Sequence, residues 1–205
     1  MCIALPELLA SAKDIVLAIA AATTAVVAVL GLRRWRQELH GKAHFEVARS
    51  FARATYKLRN AIQVARSPLI LGGEFPGGSA IAPNHKDPET EAKGYAHVFG
   101  VRWEPISAAL QEFDAQTLEA EALWGISIRT KAESLRALVR RLRAAMEAFV
   151  FNAASGGEDF RVDRDFGKQV RSEVFETGKD NQFSADLVAA VGSLESELRP
   201  HLARV

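Results

Sequence analysis

At 205 residues, with 48% hydrophobic and 25% charged side chains, the chain is long enough to build a domain with a real core and too apolar to be disordered throughout. Its formal net charge of +1 excludes a global electrostatic pull toward nucleic acid. The single cysteine, Cys2, excludes an internal disulfide and a thiolate zinc cluster.

Residues 15–32, IVLAIAAATTAVVAVLGL, contain no charge and are followed at once by Arg33, Arg34, Trp35 and Arg36. A helix over these 18 residues reaches about 27 Å at ~1.5 Å per residue, against a hydrocarbon core of about 30 Å. The run is therefore expected to be a single transmembrane helix, with residues 1–14 as a short extracytoplasmic segment. A cleaved signal peptide would carry its positive charge before the apolar run, and Cys2 is not placed as a lipoprotein cysteine. A buried soluble helix is the main rival, because the run is short and rich in alanine. Thr23 and Thr24 are tolerable in lipid if each hydroxyl bonds a carbonyl one turn back. Lys13 precedes the run, whereas Arg33, Arg34, Arg36 and Lys42 follow it, so the N-terminus is expected outside and the remainder in the cytoplasm. Arg33, Arg34, Trp35 and Arg36 are the expected membrane-interface residues, facing a bilayer with anionic headgroups.

Residues 33–66 form a basic juxtamembrane segment: nine basic side chains stand against Glu38 and Glu46, a net +7. Over residues 43–66, Phe45, Ala48, Ala52, Thr55, Leu58, Ile62 and Ala65 recur every three or four positions, which predicts a helix with one buried stripe. Gly41 is either a hinge between the two segments or a position within one long helix. Arg49, Arg53 and Lys57 share a face and are expected to pair with acids elsewhere in the body rather than with headgroups. His40 and His44 stand one turn apart, a spacing that can bind metal, but no further ligand accompanies them, and no metal or cofactor is expected.

Ser67-Pro68 should end this helix. Residues 67–87 hold the longest break, rich in Gly and Pro; Leu69, Ile70 and Leu71 are expected to dock on the body and residues 77–84 to be mobile. Asp87-Pro88-Glu89 reads as a helix start. Pro105 is expected to kink or restart that helix. Ile106, Leu110, Phe113, Thr117, Ala120 and Trp124 then make a heptad-like seam. After Gly125, Ile128, Leu135, Leu138, Leu142, Ala145 and Phe149 line the next helix, which Ser155-Gly156-Gly157 should end. A weaker helix is predicted over 163–176, and a last one capped by Ser184 and stopped by Pro200, with Leu187, Val191, Leu194 and Leu198 inward.

Residues 106–124 carry Glu112, Asp114, Glu119 and Glu121 without a base, a net −4; residues 126–149 carry a net +4. The two helices are expected to be antiparallel neighbours with complementary charge. If Arg141 is a solvated surface charge, its truncation is nearly silent. The fold class is all-α: one N-terminal transmembrane helix followed by an antiparallel cytoplasmic helical bundle over residues 88–205 together with the juxtamembrane helix. The layout resembles small bacterial single-span proteins with a cytoplasmic helical body, a likeness of architecture that carries no residues over.

No catalytic motif is visible. Gly72-Gly73 and Gly77-Gly78 lack the Lys and Ser/Thr of a phosphate loop, and no nucleic-acid motif is present. The leading expectation is a non-enzymatic, membrane-tethered interaction or scaffold domain with a protein partner or a second copy. The alternative is a membrane-bound sensor or effector binding a small ligand through residues 67–87. An enzyme acting on a lipid or envelope substrate is third.

Overall fold

The computed structural model describes residues 4–76, 87–178 and 180–203. Every regular element in them is helical, and no strand occurs among the described residues. The chain divides into two compact units, the first ending at Phe45 and the second beginning at Glu46.

Helix α1 is Ala4–Ala65. It begins before the apolar run, and the helical assignment continues through Gly41. Within the first unit every side chain from position 15 to 32 is exposed. This is the one stretch of the described chain long and apolar enough to cross a membrane. The hydroxyls of Thr23 and Thr24 donate to the carbonyls of Ile19 and Ala20 at 2.8 Å each, so neither presents an unmet donor.

The second unit is an all-helical bundle. Its long members are the end of α1, α2 (Pro88–Trp124), α3 (Ile126–Ala154) and α6 (Gln182–Leu202). Side-chain contacts fix their directions. Along α2 and α3, Glu121 meets Arg129, Asp114 meets Arg136, Trp103 meets Arg143 and Phe99 meets Phe149: one number falls as the other rises, so the pair is antiparallel. The same holds for α1 with α2 (Phe51 on Phe113, Ala65 on Arg102) and for α3 with α6 (Lys131 on Glu197, Arg141 on Asp186). It holds again for α1 with α6, where Tyr56 meets Glu195 and Arg66 meets Ser184. These four helices therefore close a ring around a shared core that includes Phe51, Leu58, Ile62, Ile106, Phe113, Leu135, Leu142 and Leu194.

Local chemistry explains most boundaries. The Asp87 carboxylate accepts the Glu89 amide at 3.3 Å and also holds the Thr90 hydroxyl, and Pro88 opens α2. Gly125 alone joins α2 to α3, at φ +80°, a conformation that L side chains rarely adopt. Gly157, at φ +85°, turns the chain from α3 into α4 (Glu158–Val162). Buried Asn152 fastens this corner: its side-chain oxygen accepts the Phe160 amide at 2.9 Å, and its carbonyl accepts the Gly157 amide at 2.8 Å. Helix α5 (Arg164–Val174) follows, and at Gly167 an added Cβ would stand 2.8 Å from Phe160 Cβ, so only glycine allows α4 and α5 this close.

Several expected boundaries move. Helix α2 passes through Pro105 without ending or restarting. Pro105 and Val101 both lie on the exposed side, so water can serve the carbonyl that proline leaves without a donor. Helix α6 likewise continues through exposed Pro200 to Leu202. Its cap is Asn181 rather than Ser184: the Asn181 side chain accepts the Ser184 amide at 3.0 Å, one turn earlier than expected. Of residues 69–71 only Ile70 packs against the core; Leu69 and Leu71 are 66% and 59% exposed. An extended segment sends neighbouring side chains to opposite sides, so three adjacent apolar residues cannot all dock. Residues 77–84, expected to be mobile, lie outside the described residues.

Candidate functional site

The most developed polar chemistry lies at the end of the bundle where α1 stops, and it is built by two arginines. Helix ends leave their last carbonyls without partners. Arg102, from α2, meets this need for α1. Its Nη1 donates to the carbonyls of Ala65 and Ser67 at 3.2 and 2.7 Å, and its Nη2 to that of Leu69 at 2.7 Å. Its Nε and Nη2 also donate to the Glu74 carboxylate at 2.6 and 3.0 Å. Glu74 in turn accepts the Leu71 amide, which closes the 3₁₀ turn Gly72–Glu74. The Arg102 hydrogen bond, ahead of its charge, holds the Glu74 carboxyl below its ordinary range.

Arg66, the residue after α1, does the same for α5. It is 0% exposed. Its Nε donates to the Glu173 carbonyl at 2.8 Å, and its Nη2 to the Ser172 carbonyl and the Asn181 side chain at 2.9 Å each. Its Nη1 donates to the Ser184 hydroxyl at 2.9 Å, and its Cζ lies 4.1 Å from the Phe183 ring centroid. Burial lowers the Arg66 pKa from its ordinary value, yet a guanidinium stays charged there because its starting value is so high. Counted by composition, Arg66 belongs to the basic juxtamembrane set; in the fold it is a core residue.

Arg141 is also corrected. It is not a solvated surface charge. Its Nε lies 3.0 Å from Glu173 and its Nη1 2.9 Å from Asp186, so it ties α3 to both α5 and α6. The basic face of α3 thus serves three neighbours, where complementarity with α2 alone was expected. Arg129 and Arg136 do reach α2, at 3.5 and 2.7 Å, while Lys131 reaches Glu197 on α6.

Among the described residues two surface regions stand out as concave. An apolar groove of about 300 Å³ runs between α2 and α3, floored by Phe99 and Gly100 and walled by Trp103, Met146, Val150 and Phe151, with Phe151 71% exposed. The other surrounds Tyr56 on α1. Arg49, Arg53, Lys57 and Asn60 line one depression with it, and Glu195, Leu198, Arg199 and Leu202 line the next. Burial first, then the neighbouring Glu195 carboxylate, raises the Tyr56 pKa, which favours the protonated hydroxyl. Lys57 pairs with Glu112 at 2.5 Å, but Arg49 and Arg53 meet no carboxylate among the described residues, against expectation.

The expected interface residues Arg33, Arg34, Trp35 and Arg36 all lie in α1 and are exposed, Trp35 by 59%. No group of three or more His, Cys, Asp or Glu side chains is placed to hold a metal among the described residues. Compared with family models, with curated proteins and with solved structures, the chain gives no match.

Proposed function

We propose that this protein is a membrane-tethered helical interaction or scaffold protein, anchored by residues 15–32. The observation that carries this reading is the exposure of that stretch on every side. Ile15, Val16, Leu17, Ile19, Val26, Val27, Val29, Leu30 and Leu32 all project outward. Each such side chain gains about 1.5–3 kcal/mol on leaving water. A partner helix would cover one stripe, whereas this surface is apolar all round, which is the pattern lipid satisfies. Arg33, Arg34, Trp35 and Arg36 then meet the headgroups of the cytoplasmic leaflet, and residues from 33 onward lie in the cytoplasm.

The interaction half of the reading is supported by the α2–α3 groove. Its lining of Phe151, which is exposed, and Trp103, which is half-buried, is of the types enriched at protein interfaces. The groove brings its apolar side chains together in one concave surface between two helices, which suits a partner's apolar segment.

Membrane fractionation and cross-linking test the two halves separately. The chain should stay with membranes in alkaline carbonate, and a reporter at the C-terminal end should behave as cytoplasmic; release into the supernatant overturns the anchor. Cross-linking in intact membranes should recover a reproducible protein partner or a second copy, and Phe151→Asp should abolish recovery without loss of helicity. Identical recovery from that variant overturns the groove as the docking surface.

A further inference from the structure

In the bundle most exposed bases are held by acids. Lys93, Arg129, Lys131, Arg136, Arg140, Arg141, Arg143, Arg161 and Lys168 each lie against a carboxylate. The surface arginines that meet no described carboxylate fall into two places. Arg164 and Arg171 are on α5; Arg49, Arg53, Arg59 and Arg199 gather around Tyr56.

That gathering has a construction that a solvated face lacks. Arg49 and Arg53 are one turn apart and line one broad depression with Tyr56. The Arg59 guanidinium lies over the Tyr56 ring at 4.9 Å, and Arg199 comes in from α6. Of the acids beside it, Glu112 is engaged by Lys57, and Glu195 stands next to Tyr56 in the second depression. Immediately beside the arginines, the second depression, about 320 Å³, offers the apolar side chains of Ala52, Leu198 and Leu202. A site with unpaired guanidinium forks on one side and an apolar trough on the other matches an amphiphile that carries a phosphate.

We propose that the α1–α6 face around Tyr56 binds the phosphate of an anionic phospholipid. Arg49, Arg53 and Arg199 take the phosphate oxygens, and the trough takes the adjoining glycerol and acyl carbons. This does not rest on the anchor reading, since the ligand can be offered in solution to the chain in neutral detergent micelles.

The test is calorimetric titration of the full chain in such micelles with a short-chain, water-soluble phosphatidic acid. Inorganic pyrophosphate and a short-chain phosphatidylcholine are titrated in parallel. Phosphatidic acid should bind saturably and more weakly as salt rises, with phosphatidylcholine much weaker. The paired change Arg49→Ala with Arg53→Ala should weaken binding by about tenfold or more, while Arg164→Ala leaves it unchanged. Both variants should keep the parent's far-ultraviolet circular dichroism, because these arginines are exposed. Pyrophosphate binding as tightly as the lipid would overturn the lipid assignment and give the site to free phosphate compounds. Absence of saturation with either probe, or a paired variant that binds like the parent, would overturn the site. Stronger binding of an acidic polyglutamate peptide would transfer it to a protein partner.

Discussion

One helix carries two opposite treatments of apolar residues. Over residues 15–32 of α1 every side chain is exposed; over residues 48–65, Ala48, Phe51, Ala54, Leu58, Ile62 and Ala65 are buried. Overall apolarity does not explain this, since the exposed stretch is the more apolar one. Period does. The later stretch concentrates its apolar side chains on a stripe that α2 and α6 can cover, while the earlier one distributes them all round, where no single neighbouring helix can cover them. The arginines of the same helix divide in the same way. Arg33, Arg34 and Arg36 are exposed, and Arg66 has no exposure at all.

The hardest test of this contrast is Ile62→Asp. Ile62 is fully buried, so an unpaired carboxylate there should cost about 3–5 kcal/mol and unfold the bundle. Urea titration of the purified chain in mild detergent, followed by circular dichroism, reads the loss. A variant as stable as the parent breaks the distinction between the two stretches.

Arg66→Ala comes next. It leaves the Glu173 carbonyl without the Arg66 donor and that of Ser172 with the Asn181 amide alone, and it opens a cavity beside Phe183, for about 3–4 kcal/mol. Arg66→Lys should recover less than half of this, because an ammonium cannot reproduce the planar fork. Full rescue by lysine would mean that charge, and not geometry, is what the site requires.

Val26→Arg addresses the exposed stretch. It should leave the urea midpoint of the bundle unchanged and oppose membrane insertion by about 2.5–3.5 kcal/mol if residue 26 sits near mid-bilayer. A glycosylation-reporter insertion assay measures that difference, and equal insertion would count against a spanning helix.

Arg141→Ala should cost about 1 kcal/mol, the smaller figure reflecting a side chain 37% exposed. Thermal melts should separate it from Arg140→Ala, whose partner Glu133 lies on the same helix. No difference between the two would restore Arg141 to the solvated surface.

The smallest effect is in acid. Arg102 holds Glu74 below its ordinary range, and hydrogen bonds from Gln182 and then Arg141 do the same for Asp186. A carboxylate whose folded pKa is depressed stabilises the fold above its unfolded value, and that contribution disappears as pH falls through the folded value. Stability should therefore be level near neutrality and decline below the ordinary carboxylate range. Glu74→Gln should be less stable at pH 7 and show a shallower decline, by about 1 kcal/mol or less. An identical pH profile would show that the Arg102–Glu74 bond carries no net stability.

Much of the bundle is legible in periodicity. Leu58 and Ile62 on α1, Ile106, Phe113 and Thr117 on α2, and Leu135, Leu138 and Leu142 on α3 are all buried where spacing puts them. Helix ends are less legible. Pro105 and Pro200 are strong stop signals locally, yet packing on both sides of each outweighs one missing hydrogen bond on a wet face. The cap of α6 lies one turn before Ser184, which in sequence is as plausible a cap as Asn181; what separates them is that the Asn181 side chain accepts the Ser184 amide while the Ser184 hydroxyl accepts from Arg66. The same blindness covers the face around Tyr56. Spacing places Arg49, Arg53 and Lys57 together, but that Lys57 finds Glu112 while the other two find no described acid depends on where α2 packs.

The amino-acid sequence by itself determined the helical class, the exposed apolar stretch and the core stripes, because hydrophobic burial is nearly non-directional and is encoded in spacing along one element. The tertiary structure alone decided the roles of Arg66, Arg102 and Arg141 and the open basic face on α1. Polar interactions are short-ranged and directional. The partners of Arg66 lie 106 to 118 residues away along the chain, so no local pattern can announce them. An arginine in the sequence is only a charge; whether it is a helix cap, a brace or a free hand is settled when the helices meet.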